Sequence, residues 1–512
     1  MDVLVFFFFL LVAISLLKWI RNRRENFRCF EKLGIPGPEP SFWFGNLLDA
    51  IKLGRQSEVL LQQKYGPIYG VFLGSVPFLI VADPELLKII QVKKAQIFNK
   101  RNPIVPGVGI PVKLVTESVV FMIGSKWKHN RDAVTPSYTT SKLKMLAAVV
   151  NRSFDKSWKD MREMTKNGVK FDMREFLSSS VADMTFQSAF GIVVNDQKKL
   201  VQSLNYSFDT DFTNPINFLS VCFPEISNFL HLLRNFTHKI RHFFSFSSTL
   251  FVLEMCKKVI STRLSLEKNS YPDVLQLLIN ASSLKNVELS EENEKSEKVV
   301  VHSEYKLSYK DCLSNCFYTA VAKFDTIRSA VTFSTYCIAK YPEVQDKIRE
   351  EISKYNKKEE SIDYTAISKM TYLDQVLSEV LRLFPPAASF VNRIAEEDLK
   401  YNDILIPKGM TVYAPLYGLH RNPAYWSDPD EFKPERFQDK SSINPYIYQP
   451  FGIGLRHCAG MRPAQLICKL LLANLVKNFK FSLAPETKEI EPHFTLVITF
   501  SKHPIYLNAT PL

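Results

Sequence analysis

Residues 451–460 read Phe451-Gly-Ile-Gly-Leu-Arg456-His-Cys458-Ala-Gly460, and an apolar run, LICKLLLANLV, follows at 466–476. Two glycines precede the cysteine and one follows it. The run reads as a helix, so the cysteine stands near a helix N-terminus. There the positive end of the peptide dipole favours a thiolate, the form of cysteine that attacks or binds metals. Gly454 and Gly460 permit tight turns and a close backbone approach.

The other seven cysteines, at 29, 222, 256, 312, 316, 337 and 468, form no CxxC pair. A disulfide framework is therefore not expected in a chain of this length, and the usage suits a reducing compartment.

Taken whole, the pattern Phe451…Gly454…Arg456…Cys458…Gly460 resembles the haem-binding loop of the cytochrome P450 superfamily, FxxGxRxCxG. The segments YGLHRNPAYWSDPDEFKPERF and NPYIYQPFGIGLRHCAGMR look most like the clan of animal family-three drug- and steroid-oxidising microsomal enzymes. The resemblance extends from about residue 34 to 505. It implies the mainly α cytochrome P450 fold with minor β, preceded by an N-terminal transmembrane helix. Its cofactor is haem b, with Cys458 as the sulfur ligand to iron.

The same resemblance assigns further positions one at a time. Trp127 and Arg131, four apart in GSKWKHNR, would face a haem propionate together with Arg393 and Arg456, and Phe451 would belong to the same cofactor loop. Buried carboxylates need charged donors, and arginine supplies a bidentate fork. Glu379 and Arg382 lie three apart on the helix MTYLDQVLSEVLRLF and would be joined by Arg436 of the segment Pro434-Glu435-Arg436-Phe437. Their implied role is structural, holding the cysteine loop. Thr371 is a candidate N-cap of that helix, with Asp374 three residues on.

Ala322-Lys323-Phe324-Asp325-Thr326 resembles the family's oxygen-activation segment, (A/G)Gx(D/E)T. The catalytic pair would be Asp325, relaying protons inward, and Thr326, holding dioxygen or water by its hydroxyl. Lys323 departs from the pattern, which has glycine there. It would occlude the pocket, donate protons or point away. A second departure is Pro463, which a helix tolerates in its first turn.

Val3 to Leu17 is an almost unbroken apolar run, VLVFFFFLLVAISLL, followed by Lys18, Trp19, Ile20 and the basic residues Arg21, Arg23 and Arg24. With Trp19 at the interface and Lys18 snorkelling, it reaches the short limit for a bilayer span, roughly 17 residues. Positive charge follows the run rather than precedes it, and no small-residue cleavage site follows. This favours a retained single-pass anchor with the remaining chain in the cytosol, at the endoplasmic reticulum membrane. The expected divisions are 1–20 as membrane anchor, 21–40 as a basic, proline-rich linker, and 41–512 as the haem-thiolate catalytic domain. Sequons at Asn151, Asn205, Asn235, Asn280 and Asn508 should stay bare in that orientation.

Elsewhere, Ile68 to Val81 reads as a β-hairpin broken by Gly74-Ser75, strands return over 401–413 and near the C-terminus, and residues 139 onward are dominated by helix. Helices are expected over 273–281 and 342–352, and 283–306 reads as a charged surface loop. The aromatic-rich stretch 205–253 reads equally as core or as an apolar lid dipping into the bilayer, with Arg234, Lys239, Arg241 and His242 at the headgroups.

Lys and Arg number 65 against 52 Asp and Glu, a net charge of +13. The basic residues are dispersed and no recognition motif accompanies them, so nucleic acid is not an expected partner. A membrane surface and an acidic protein partner are. No nucleotide-binding loop appears, so the expected activity takes NADPH electrons through a separate flavoprotein, NADPH–cytochrome P450 reductase, with cytochrome b5 as a further candidate donor. The activity would insert one oxygen atom into a small lipophilic substrate. Two other readings stay open here: a haem-thiolate isomerase or lyase acting on peroxides without a reductase, and a non-catalytic haem-binding protein.

Overall fold

The computed structural model describes residues 2–102, 114, 117–166, 169–207, 212, 214–244, 249–265, 273–282, 306–356, 361–493 and 498–512. The charged stretch expected as a loop falls, up to residue 305, outside the described residues, as do Phe208 and Phe246.

The body is mainly helical with small sheets. Its central element is the helix Tyr309–Lys340, buried along most of its length. Ser308 and Asp311 start it with a reciprocal capping box, satisfying two end N–H groups at once. The helices Met173–Phe190, Thr140–Lys166 and Met461–Asn478 pack around it in one large apolar cluster.

The hairpin forms where the β-branched and aromatic residues placed it, Ile68–Leu73 against Val76–Val81, turning at Gly74-Ser75. Strand Val76–Val81 then runs parallel to Thr411–Tyr413, which pairs antiparallel with Asn392–Ile394. This four-stranded sheet carries a second core cluster and presents Arg393. Helices stand at Val274–Asn280, capped by Asp273, and at Pro342–Tyr355, with proline in the first turn. Pro463 likewise falls in the first turn of Met461–Asn478.

The N-terminal helix runs from Asp2 to Phe27, past residue 20. Leu4–Phe27 is long and apolar enough to cross a membrane. Arg23, one of the basic residues after the apolar run, packs against the body. It is buried, donating to the carbonyls of Phe42, Trp43 and Cys222 at 2.7, 2.8 and 2.9 Å, with aromatic rings around its guanidinium. The proline-rich segment is also docked: Gly70 N–H donates to Pro36 O at 2.8 Å. A Cβ on Gly37 would lie 2.2 Å from Gly70 O, so that approach requires glycine.

Three expectations change around the helices. Thr371 is not the N-cap of Thr371–Leu383; Met370 occupies that position in an extended conformation, without a side-chain cap. The cap comes from the helix Pro342–Tyr355, where Glu351 accepts from the N–H groups of Tyr372 and Leu373 at 2.8 and 2.9 Å. Arg234 turns inward and donates to Asn217 Oδ1 at 2.7 Å, rather than reaching outward. Phe229, Phe236, Phe243 and Phe244 are exposed while Phe212 is buried, so the aromatic stretch divides between core and surface.

Glu379 and Arg382 are both fully buried and form a two-pronged pair at 2.7 and 2.8 Å. Arg382 spends its other donors on the carbonyls of His420, Pro429 and Glu431. Glu379 also accepts from Lys433 N–H at 2.9 Å and lies 3.3 Å from Arg436 Nε. Such a pair is stable because both charges are fully bonded. His420 extends the cluster. Gln449 N–H donates to its Nε2 at 3.2 Å, so Nδ1 carries the proton and donates to Arg382 O at 3.1 Å. Burial and the neighbouring Arg382 cation push this ring's pKa down to about 3. Gln449 lies two residues before Phe451, so the cluster reaches the cysteine loop.

Two outcomes follow from this cluster. Arg382→Leu should destabilise the protein by about 3–5 kcal/mol in urea unfolding, because Glu379 is left as a buried unpaired charge. A loss below about 1 kcal/mol, the level of an exposed pair, would contradict its assignment as a buried strut. The ring of His420 titrates near 6.5 when unfolded and near 3 when folded, so its contribution is whole above 6.5 and drains as pH falls toward 3. His420→Asn should therefore show a smaller fall in unfolding midpoint between pH 7 and pH 5 than the parent protein. An equal fall would mean the ring is charged in the folded state.

Candidate active site

The loop 451–460 is shaped by its glycines. Gly452 and Gly454 adopt φ of 65° and 71°, the left-handed region. A Cβ on Gly454 would lie 2.0 Å from Gln91 O, so only glycine fits there. Cys458 N–H donates to Phe451 O at 2.8 Å, closing the loop, and Gly460 is the N-cap of Met461–Asn478. Burial pushes the Cys458 thiol up, while the Gly460 N–H and the charges of Arg131 and Arg101 pull it the other way. A sulfur held so gives up its proton when a metal cation is offered.

Cys458 opens onto a cavity of about 280 Å³. Phe451, Cys458 and Gly460 form one wall and Ala322, Lys323 and Thr326 of the long helix contribute another, with apolar side chains such as Val134, Leu377 and Val391 between. Trp127, Arg131, Arg393 and Arg456 line the same space. Sequence positions spread over more than 300 residues are thus brought together.

Arg101, not anticipated from the sequence, completes the group of arginines. It donates to Arg456 O at 2.7 Å across 355 residues of chain. Arg456 donates to Asn99 Oδ1 at 2.6 Å and lies over the Trp127 ring, its guanidinium carbon 4.4 Å from the ring centre. Arg131 is 3.1 Å from His457 Nε2. Arg393 is held well below its ordinary pKa by burial and by the like charges of Arg101 and Arg456. Among the described residues lining the cavity there is no Asp or Glu, and none of these four arginines makes an ion pair with a described carboxylate. Buried cations in that state demand an anionic guest. A flat macrocycle with propionate groups and a metal at its centre matches these donors: acid groups for the guanidiniums, iron for the sulfur, and apolar walls for the ring.

On the opposite wall, Thr326 Oγ1 donates to Ala322 O at 2.6 Å, leaving its oxygen free to accept. Asp325, one residue away, does not line the cavity. Its carboxylate pairs with Arg328 and lies 3.7 Å from Arg174 NH2, tying the long helix to Met173–Phe190. The Arg328 three residues on was the available sign that this carboxylate is occupied. Lys323 reaches Ser188 Oγ at 2.9 Å. Glu379, Arg382 and Arg436 stand together behind the cysteine loop rather than in the cavity.

Comparison with known proteins agrees with this geometry. The cytochrome P450 family model matches residues 35–509. Cytochrome P450 3A14 of Cavia porcellus is 32% identical over 485 residues, covering 93% of this chain and 91% of that protein. Cytochrome P450 3A11 of Mus musculus gives the same figures. Lithocholate 6-beta-hydroxylase of Mesocricetus auratus is 31% identical over 505 residues, covering 97% and 95%. The chain therefore belongs to the cytochrome P450 family, with family-three enzymes among its relatives, and is a haem-thiolate monooxygenase.

Proposed function

We propose that Cys458 is the sulfur ligand of the haem iron and that Arg101, Arg131, Arg393 and Arg456 receive the propionates. The observation that carries this reading is a single cavity onto which the Cys458 thiol opens together with four arginines that have no described carboxylate partner. When bound, haem supplies the activation of dioxygen and the insertion of one of its atoms into a lipophilic substrate. The chain's own residues set the conditions. Trp127 and Arg131 fix one edge of the ring, and Phe451 shields the sulfur. Thr326 holds a proton at its hydroxyl oxygen beside the reacting space. Asp325, committed to Arg328, acts on this reading through the position of the long helix and passes protons only by exchanging partners.

Electrons come, on the same proposal, from NADPH through NADPH–cytochrome P450 reductase, with cytochrome b5 as a second donor; the net charge of +13 supports docking of acidic partners. Residues 1–20 serve as the membrane anchor, 21–40 join it to the body, and 41–512 form the catalytic domain. The enzyme resides in the endoplasmic reticulum membrane with that domain in the cytosol. Trp19 and the basic residues after the apolar run support this orientation.

Cys458→Ser should abolish the carbon-monoxide difference band near the Soret region, whereas Cys468→Ser, whose cysteine also lines the cavity, should keep it. A normal band in the first variant would refute the ligand assignment. Thr326→Val should keep that band yet lower product formed per NADPH consumed, by a factor on the order of 10² if the hydroxyl acts as a proton donor. Unchanged coupling would remove Thr326 from the chemistry. Mass spectrometry of the expressed full chain should find all five sequons bare; glycan on any would overturn the orientation.

A further inference from the structure

The N-terminal helix Asp2–Phe27 leaves its apolar run exposed from Leu4 to Leu17 and meets the body only toward its end. Arg23 is the centre of that meeting. Its Nε donates to Phe42 O, and its NH2 group donates to Trp43 O and Cys222 O. The rings of Trp19, Phe27, Phe42 and Phe223 stand 5.1–5.8 Å from its guanidinium carbon. Trp19 Nε1 donates to Glu225 Oε1 at 2.8 Å, and Asn26 Nδ2 donates to Ser75 O at 2.7 Å. Arg21 and Arg24 of the same helix are exposed, so basic charge alone does not explain the docking.

The segments that Arg23 touches also hold one another. Ser75 N–H donates to Val221 O at 3.4 Å, and a Cβ on Gly74 would lie 2.1 Å from that oxygen. Val221 and Cys222 pack with Leu47 and Phe212 in a small apolar cluster, separate from the two large ones. The helix Pro215–Cys222 and the turn Pro224–Ile226 thus lean on this corner rather than on the main core. A buried guanidinium among carbonyls makes charge-assisted bonds, and its removal leaves those carbonyls unpaired. No glycine or proline interrupts Asp2–Phe27, so the helix has no kink point between its exposed run and Arg23. Displacing the run therefore displaces the corner.

We propose that Arg23 is a clasp that makes the anchor helix a mechanical part of the catalytic body, holding Pro215–Ile226 against the hairpin turn. The segment loosens when the clasp opens, so the position of the anchor in the membrane is passed to it directly. This rests on the reading of residues 1–20 as a membrane anchor, and it replaces a slack tether after that anchor with a fixed joint.

Hydrogen exchange of the haem-loaded full chain mixed with phosphatidylcholine vesicles tests it, with vesicle flotation run alongside. Amides of residues 20–27 and 216–223 should exchange slowly in the parent. Arg23→Gln should speed both segments together by about ten-fold or more, while Arg24→Gln should change neither. Trp19→Phe keeps an aromatic ring but removes the bond to Glu225, and should speed both segments by about three-fold. That variant decides the matter if Arg23→Gln does not fold. Fast exchange at either segment in the parent, or variants that loosen one segment without the other or neither, would overturn the proposal. A chain that does not float with the vesicles sinks the anchor reading alone, because the exchange pattern still reports on the clasp.

Discussion

An ionisable sulfur and a cluster of guanidiniums are set into one largely apolar cavity, and most of the fold can be read as the apparatus that keeps them there. Burial disfavours the charged state of the sulfur, and like-charge crowding disfavours the charged state of Arg393. On the proposed ligation, both penalties would fall away when a metal and its acidic ring substituents enter. The protein is thus organised around a guest whose charges are opposite to its own, and the apolar walls make that complementarity strong by excluding water.

Holding such a site needs rigid support on several sides. The cysteine loop is braced by glycines that let backbones touch at Gln91, and the chain behind it by the Glu379–Arg382 pair and the neutral His420. The long helix is fixed against its neighbour by Asp325, Arg328 and Ser178. These are buried polar contacts with most partners satisfied, which suits them to setting a single geometry rather than adding net stability.

Local features were the most legible in the sequence. Of the two glycines singled out for tight turns, Gly454 adopts positive φ while Gly460 caps the following helix at φ −88°, and the hairpin 68–81 stood out because its β-branched and aromatic runs flank a Gly-Ser turn. The stretch 273–281 announced a helix, which begins one residue later with Asp273 as its cap, and the cysteine motif led to the family and thence to Trp127, Arg131 and Arg393. Contacts across the chain were not legible. Arg101 meets Arg456 only after 355 residues, and its neighbours in sequence show no pattern. Arg23 read only as part of the basic flank of the apolar run; its carbonyl partners at 42, 43 and 222 belong to tertiary structure. The cap expected at Thr371 failed for the same reason, since Glu351 supplies it from another helix.

The claim on which everything else stands is the bond between Cys458 and iron. X-ray absorption at the iron edge of the haem-loaded protein measures it directly. The account predicts one sulfur scatterer in iron's first coordination shell, lost in Cys458→Ser and kept in Cys468→Ser. A first shell of nitrogen and oxygen alone in the parent protein would contradict it.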